Sequence, residues 1–327
     1  MSNSILSKKI LYWYDNNKRR LPWRKKFSQI KREYYTLVSE FMLQQTQVAT
    51  VIPYFNNFIK DIPNINSLSN INEKKLLKYW EGLGYYSRVK NLKKTAKIII
   101  KDFNGRLPKT FNELKLLPGI GDYTSSALMA IVFNKQFIPL DGNVERVIKR
   151  LLNLKSDHEI NKKNLIKQKK ILGFSVRAGD YAQSLMELGA LVCKPKNPLC
   201  LKCPITKYCK SFKNNDFKII KKKQKKVNKF YLIDVYKKNN KFLLIKNTKF
   251  NFLKNLEIFP MQEISKPYNL KKALHFNMSN MNMSLFVRFV TKKNKIINYS
   301  WIDGLRLNDY TLPTFTKKIF MYLNTYK

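Results

Sequence analysis

A tight turn, Leu117-Pro118-Gly119-Ile120-Gly121, stands between two helical patterns and limits what the chain around it can become. Thr110 and Glu113 form a capping box for a helix from about Phe111 to Leu117, and Pro118-Gly119 stop that helix. Gly121 turns the chain without a Cβ penalty. A second helix then starts near Asp122 and runs through the apolar segment Ala127–Phe133. The N–H groups of such a turn point outward at a helix N-terminus, which suits a phosphate oxygen. Pro118, Gly119 and Gly121 are thus candidate backbone contacts that position a nucleic acid without reading its bases. An ordinary tight turn between helices leaves the same trace. Beyond Gly121, Asp141 precedes a further helical start at Gly142-Asn143-Val144, where an Asp commonly serves only as N-cap.

The charge balance favours a polyanionic partner. There are 64 Lys and Arg against 21 Asp and Glu, a formal net charge of +43 over 327 residues. Nucleic acid and an anionic membrane face both satisfy it. Lys, Asn and Ile are heavily used and Lys far outnumbers Arg, so part of the charge is assigned to an A- and T-rich coding bias. No apolar run approaches the roughly 18 residues of a membrane span, and the N-terminus has no signal-peptide core. A soluble cytoplasmic protein of about two domains is expected, with no membrane partner.

Upstream of the turn the pattern is helical. Ile5–Trp23 is amphipathic and ends at Leu21-Pro22-Trp23. Residues 32–55 predict one long helix whose apolar stripe includes Leu37, Phe41, Val48 and Phe55. Thr36, Glu40, Gln44 and Gln47 share another face of it, which sets Glu40 in a polar seam. Further helices are expected over Glu73–Trp80 and Tyr86–Phe103. Between them, Trp80-Glu81-Gly82-Leu83-Gly84-Tyr85-Tyr86 combines glycines with flat aromatic faces that suit close backbone approach and stacking on bases.

All four cysteines lie together, as Cys193-x6-Cys200-x2-Cys203-x5-Cys209. With none elsewhere, a disulfide framework is disfavoured and a metal site is expected. Four thiolates suit either zinc or an iron–sulfur cluster.

Taken together, residues 1–210 resemble the helix-hairpin-helix DNA glycosylases, and most of all the adenine DNA glycosylase family. The resemblance rests on Leu21-Pro22-Trp23-Arg24, Ser39-Glu40-Phe41-Met42-Leu43-Gln44-Gln45-Thr46-Gln47 and the Trp80–Tyr86 stretch. Leu117–Gly121 and Asp141-Gly142-Asn143-Val144 complete it. It implies that Glu40 is the acid that protonates adenine and that Asp141 is the carboxylate that stabilises the sugar cation. Cleavage of a glycosidic bond by two carboxylates agrees with those roles. Gln45 and Tyr85 match residues that the family inserts into the duplex, with Gln44 beside them. Trp23 and Arg24 match positions near the adenine pocket. Tyr123 stands where bifunctional relatives carry a nucleophilic lysine; a phenol forms no imine, so a monofunctional enzyme is implied. The cysteine spacing matches the family's [4Fe–4S] loop.

After a Lys-rich stretch around residues 221–226 the pattern becomes β-like. Phe230–Tyr236 and Lys241–Lys246 predict a hairpin across Asn239-Asn240, and Leu285–Val290 and Lys295–Trp301 a second pair. A closing helix is expected over Thr316–Leu323. This half resembles, thinly, the family's Nudix-like domain that recognises 8-oxoguanine. The family's Phe-Ser-His loop survives only as Met278-Ser279-Asn280, which leaves Ser279 as its candidate contact.

The expected organisation is a mainly α glycosylase region of two helical lobes over residues 1–192 and an iron–sulfur loop over 193–209. A basic linker over 210–228 and a smaller, degenerate α/β Nudix-like domain over 229–327 follow. The expected partner is double-stranded DNA carrying adenine opposite 8-oxoguanine or guanine, bound by a monomer. Two other readings compete: an endonuclease III-like enzyme for oxidised pyrimidines, opposed by Gln-Gln-Thr-Gln and Tyr123, and a non-enzymatic DNA binder, opposed by Glu40 and Asp141.

Overall fold

The computed structural model describes residues 4–154, 169–217, 226–265, 273–278, 280–291, 296 and 298–325. Two compact units emerge: Met1–Ile71 with Arg88–Lys222, and Asn72–Ser87 with Lys223–Lys327. No helix among the described residues is long and apolar enough to cross a membrane.

The first unit is helical. Helix α1 (Ile5–Asn17) is capped by Ser4, whose hydroxyl accepts the Ser7 N–H at 3.1 Å. It stops short of the expected Trp23. Pro22 forces Leu21 into an extended conformation, and a single 3-10 turn, Pro22–Arg24, follows. The long helix expected over residues 32–55 is two helices, α2 (Gln29–Leu43) and α3 (Val48–Asp61). The break has a cause in two residues, one within it and one distant in sequence. Gln45 takes a left-handed backbone (φ 56°), and the Arg88 guanidinium donates to the Phe41 and Met42 carbonyls at 3.1 and 2.8 Å. Those carbonyls lack helical partners at a C-terminus, and Arg88 supplies them. Helices α4 (Ile65–Asn70), α5 (Glu73–Tyr79) and α6 (Ser87–Phe103) follow, with α5 in the second unit.

Helices α7 (Phe111–Leu116) and α8 (Asp122–Ile131) flank the Leu117–Gly121 turn. The Thr110 hydroxyl accepts the Glu113 N–H at 3.2 Å and donates to the Glu113 carboxylate at 2.6 Å. Residues 124–130 of α8 are all buried, as befits a central helix built from Ala, Ser, Leu and Met. Helix α9 (Gly142–Leu152) and helix α10 (Ala178–Glu187) pack with α1 around Ile10, Val144, Ile148, Tyr181 and Leu185. A π turn, Leu188–Val192, continues α10 and delivers Cys193. A short helix α11 (Lys210–Lys213) occupies the start of the expected linker. Its Lys221–Lys226 run falls almost wholly outside the described residues, as does Ser279.

The second unit carries eight strands among the described residues: β1 (Val227–Val235), β2 (Lys237–Lys238), β3 (Lys241–Lys246), β4 (Glu257–Ile258), β5 (Met261–Ile264), β6 (Leu274–Met278), β7 (Met281–Phe289) and β8 (Tyr299–Asp303). One sheet runs β5-β1-β7-β6, with β1 and β7 parallel; in the other, β3 pairs β8 on one edge and β2 and β4 on the other. Both expected strand pairs need correction. Across Asn239-Asn240 the hairpin joins β2 to β3, while the Phe230–Val235 segment lies in the other sheet. The Leu285 and Trp301 strands do not pair with each other, because β7 joins β1 and β8 joins β3. Helix α12 (Thr314–Thr325) buries Phe315, Ile319 and Phe320 in a core that also holds Phe242 and Phe259. Residues 72–87 join this unit through Lys78, which donates to the Asn308 carbonyl at 2.8 Å, and through Glu81.

Candidate active site

The 3-10 turn at Trp23, helix α2 and the N-termini of α8 and α9 converge on one pocket of about 310 Å³. Trp23, Arg24, Glu40, Gln44, Gln45, Tyr123 and Asp141 all line it. Residues far apart in sequence thus share one cavity. Tyr85 belongs to the other unit, and Pro118, Gly119 and Gly121 lie in the hairpin turn.

Glu40 points inward from α2 and is 4% exposed. Burial pushes its carboxyl up to about 7; the Tyr123 hydroxyl, which donates to it, and the Arg24 charge oppose that rise, and Asp141 adds to it. Its Oε2 atom is buried with no hydrogen-bond partner among the described residues. The Tyr123 hydroxyl is itself held protonated, well above the usual phenol range, by burial and by the nearby Glu40 and Asp141 charges.

Asp141 caps α9. Its Oδ1 accepts the Asn143 and Val144 N–H groups at 3.0 and 2.7 Å, and its Oδ2 accepts from Asn143 Nδ2 at 3.0 Å. The N-cap role and a place in the pocket therefore hold together. Burial raises the Asp141 carboxyl, and these donors and Arg146 act against it.

A third acid, Glu187, escaped the sequence reading. It is fully buried and lines the same pocket. Its Oε1 meets Arg19 Nη2 at 2.6 Å and Arg24 Nη1 at 2.9 Å. Burial would raise this carboxyl, yet hydrogen bonding to Arg19 and the Arg24 and Arg19 charges outweigh it and hold it below the usual range. The pocket thus contains one acid driven toward neutrality and another held charged. The available signal was a lone acid in the apolar run Leu185-Met186-Glu187-Leu188, which demands a buried partner.

In the hairpin turn, Gly119 (φ 80°) is the position that requires glycine: a Cβ there would meet Phe41 at 2.8 Å and Asn91 at 2.9 Å. Gly121, expected to be the permissive position, has an ordinary φ of −104°, and a Cβ there would meet nothing within 4 Å. Thr95 donates to the Pro118 carbonyl at 2.9 Å and Gln44 to the Gly119 carbonyl at 3.2 Å. These bonds hold the carbonyl side of the turn.

Cys193, Cys200, Cys203 and Cys209 are unpaired by disulfides and line a single small cavity with Arg150, Phe212 and Phe217. Among the described residues, no three Cys, His, Asp or Glu side chains converge as one ion requires. The four thiols lining this cavity are a donor set of the kind that zinc or an iron–sulfur cluster takes. A more open cleft of about 850 Å³ borders α9, but its arginines are engaged structurally. Arg146 donates to the Cys193 and Gly189 carbonyls at 2.7 Å each, and Arg150 to the Lys194 carbonyl at 2.6 Å.

Residues 38–170 match the family described as HhH-GPD superfamily base excision DNA repair protein. An adenine DNA glycosylase of Buchnera aphidicola from Schizaphis graminum is 34% identical over 351 residues, covering 98% of this chain and 99% of that one. The chain belongs to the adenine DNA glycosylase family. Another Buchnera aphidicola member, from Baizongia pistaciae, is 39% identical over 267 residues, 80% of this chain and 74% of the relative. The human family member is 38% identical over 213 residues, 62% of this chain and 38% of its own length. Among solved structures, a thermostable thymine-DNA glycosylase superposes with a TM-score of 0.57 at 27% identity, over 64% of this chain and 96% of that one. An endonuclease III–DNA complex, at 19% identity and a TM-score of 0.51, shares the fold. Family membership makes the protein a base-excision-repair DNA glycosylase.

Proposed function

We propose that this protein hydrolyses adenine from DNA in which adenine faces 8-oxoguanine or guanine, and leaves an uncut abasic site. The observation that carries the reading is Glu40: a buried carboxyl pushed up to about 7, with one oxygen unpartnered, in a pocket shared with Asp141. A base must leave the stack to reach such a pocket. Trp23 and Arg24 line the side next to Glu40 and serve to receive it, while Gln44, Gln45 and Tyr85 serve the opened duplex. Glu40 gives its proton to a ring nitrogen of adenine. The glycosidic bond then breaks, and its electron pair leaves with the base. The cationic sugar is stabilised by Asp141; burial raises this carboxyl, and the three N–H donors at the α9 start act for its negative form. Glu40, now a carboxylate, accepts a proton from the water that adds to the sugar. Tyr123 holds a hydroxyl and no amine, so no imine forms with the sugar.

Pro118, Gly119 and Gly121 position the backbone of the DNA. Cys193, Cys200, Cys203 and Cys209 hold a [4Fe–4S] cluster, which when bound ties the loop together at four points. The pure protein is therefore expected to be brown, with about four irons per chain. One zinc and no iron would refute that assignment. The domain boundaries at 192, 209 and 228, a contribution of Ser279 to 8-oxoguanine selection and a monomeric state belong to the same reading.

A panel of duplexes tests it. Adenine opposite 8-oxoguanine or guanine, and an oxidised pyrimidine, are incubated with the protein, then resolved with and without alkali. Adenine release with strand cleavage only after alkali is expected. Nicking without alkali, or release of the oxidised pyrimidine alone, would favour the endonuclease III-like reading.

A further inference from the structure

The turn that carries Tyr85 combines backbone strain with an unusual tether. Gly82 and Gly84 have φ of 101° and 70°, and Tyr85, which has a side chain, has φ of 47°. A non-glycine residue holds such a conformation only where its surroundings over-determine it. Within the turn, Trp80 Nε1 donates to the Gly84 carbonyl at 3.2 Å and the Leu83 N–H to the Trp80 carbonyl at 3.1 Å. Trp80 is fully buried, and Tyr85 is 49% exposed. The turn thus displays one flat aromatic face of the kind that stacks on a base.

Glu81, in this turn, is fixed from the C-terminal part of the chain. Its Oε1 accepts the Leu312 N–H at 3.3 Å and meets Lys317 Nζ at 2.6 Å. Its Oε2 meets Lys78 Nζ at 3.1 Å, and Lys78 donates to the Asn308 carbonyl at 2.8 Å. The Glu81 side chain is 13% exposed and that of Lys317 25%, so this is no solvent-screened surface pair. Lys317 rides on α12, whose Phe315, Ile319 and Phe320 are anchored in the sheet core. The Lys78–Glu81–Lys317 cluster thereby couples the turn to α12.

We propose that Glu81 is a positioning residue through which α12 sets the Tyr85 turn within the second unit, and so tunes the response to the base facing the target. This rests on the proposed adenine activity. It gives the second unit a route to selectivity that does not pass through Ser279. The Lys317–Glu81 pair is the link by which the position of α12 bears on the Tyr85 backbone.

The test uses the full-length protein as E81K, K317E, the E81K/K317E double variant and, should a reversal unfold the chain, E81Q. E81Q retains an acceptor for Leu312 and loses the charge that faces Lys317. Two quantities are read: single-turnover excision from A·8-oxoguanine and A·G duplexes, and fluorescence of 2-aminopurine placed beside the opposite base. Each single variant is expected to shrink the 8-oxoguanine-to-guanine rate ratio at least roughly fivefold, the lower range for coupled sites. It is also expected to blunt the fluorescence change, and the double variant to recover part of both, since it restores an opposite-charge pair but not the acceptor for the Leu312 N–H. Loss of both rates in equal proportion, with the ratio intact and no rescue, would show a purely structural pair and overturn the proposal. So would variants that behave as the parent. If the parent excises adenine from neither duplex, the adenine reading fails, while the fluorescence and its rescue still report on the coupling.

Discussion

Glu40 carries two consequences that can be measured separately. As a proton donor it works only while protonated, so excision should fall as pH rises through about 7. Glu40→Gln removes the proton and should lower single-turnover excision by at least roughly a hundredfold with DNA affinity nearly unchanged. A near-normal rate would place the acid elsewhere. The second consequence is in stability. Between the ordinary carboxyl value of 4.5 and about 7, the folded protein binds a proton that the unfolded chain does not. The stability this lends is complete below 4.5 and is lost as pH rises through about 7. At pH 8 the buried charge costs up to about 3 kcal/mol, at about 1.4 kcal/mol per pH unit. Denaturant unfolding should therefore find Glu40→Gln more stable than the parent at pH 8 and similar to it near pH 5. Much of this pocket was legible beforehand, because Trp23, Glu40, Tyr123 and Asp141 sit in short motifs. Glu187 and Arg19 were not, since their pairing spans 168 residues: the apolar run around Glu187 signals a buried acid but does not name its partner.

At the scale of elements, the hairpin turn offers a paired test. Gly119→Ala places a Cβ against Phe41 and Asn91 at a positive φ, so it should destabilise the fold by about 1–3 kcal/mol. Gly121→Ala meets no protein atom and should fold normally. Its methyl group would instead stand at the face offered to the phosphate backbone, weakening duplex binding severalfold. Equal behaviour of the two variants in unfolding and binding titrations would contradict this division of labour. Helix positions followed from periodicity except where one residue overrode it. The α2–α3 break depends on Arg88, a distant side chain that completes a helix end, and periodicity cannot register that. The strand pairings failed for a related reason: β1 and β7 are parallel neighbours some fifty residues apart, whereas a sequence reading favours adjacent hairpins.

For the molecule as a whole, the net charge of +43 invites a quantitative check. Duplex affinity should fall with salt at a log–log slope of about −0.9 per phosphate neutralised. A slope equivalent to roughly five to ten phosphates is expected, because a contact footprint and not total charge sets it. A far shallower slope would assign the lysines to coding bias and not to DNA. The second unit is discontinuous, with residues 72–87 separated from 223–327 by the rest of the helical unit. On the ribosome, the Tyr85 turn emerges long before Leu312 and Lys317 exist to hold Glu81. Its strained backbone must wait for the final part of the chain, the slow folding expected of contacts so distant in sequence. A prematurely terminated polypeptide would thus carry all the residues of the Glu40 pocket while lacking the partners that fix the Tyr85 turn.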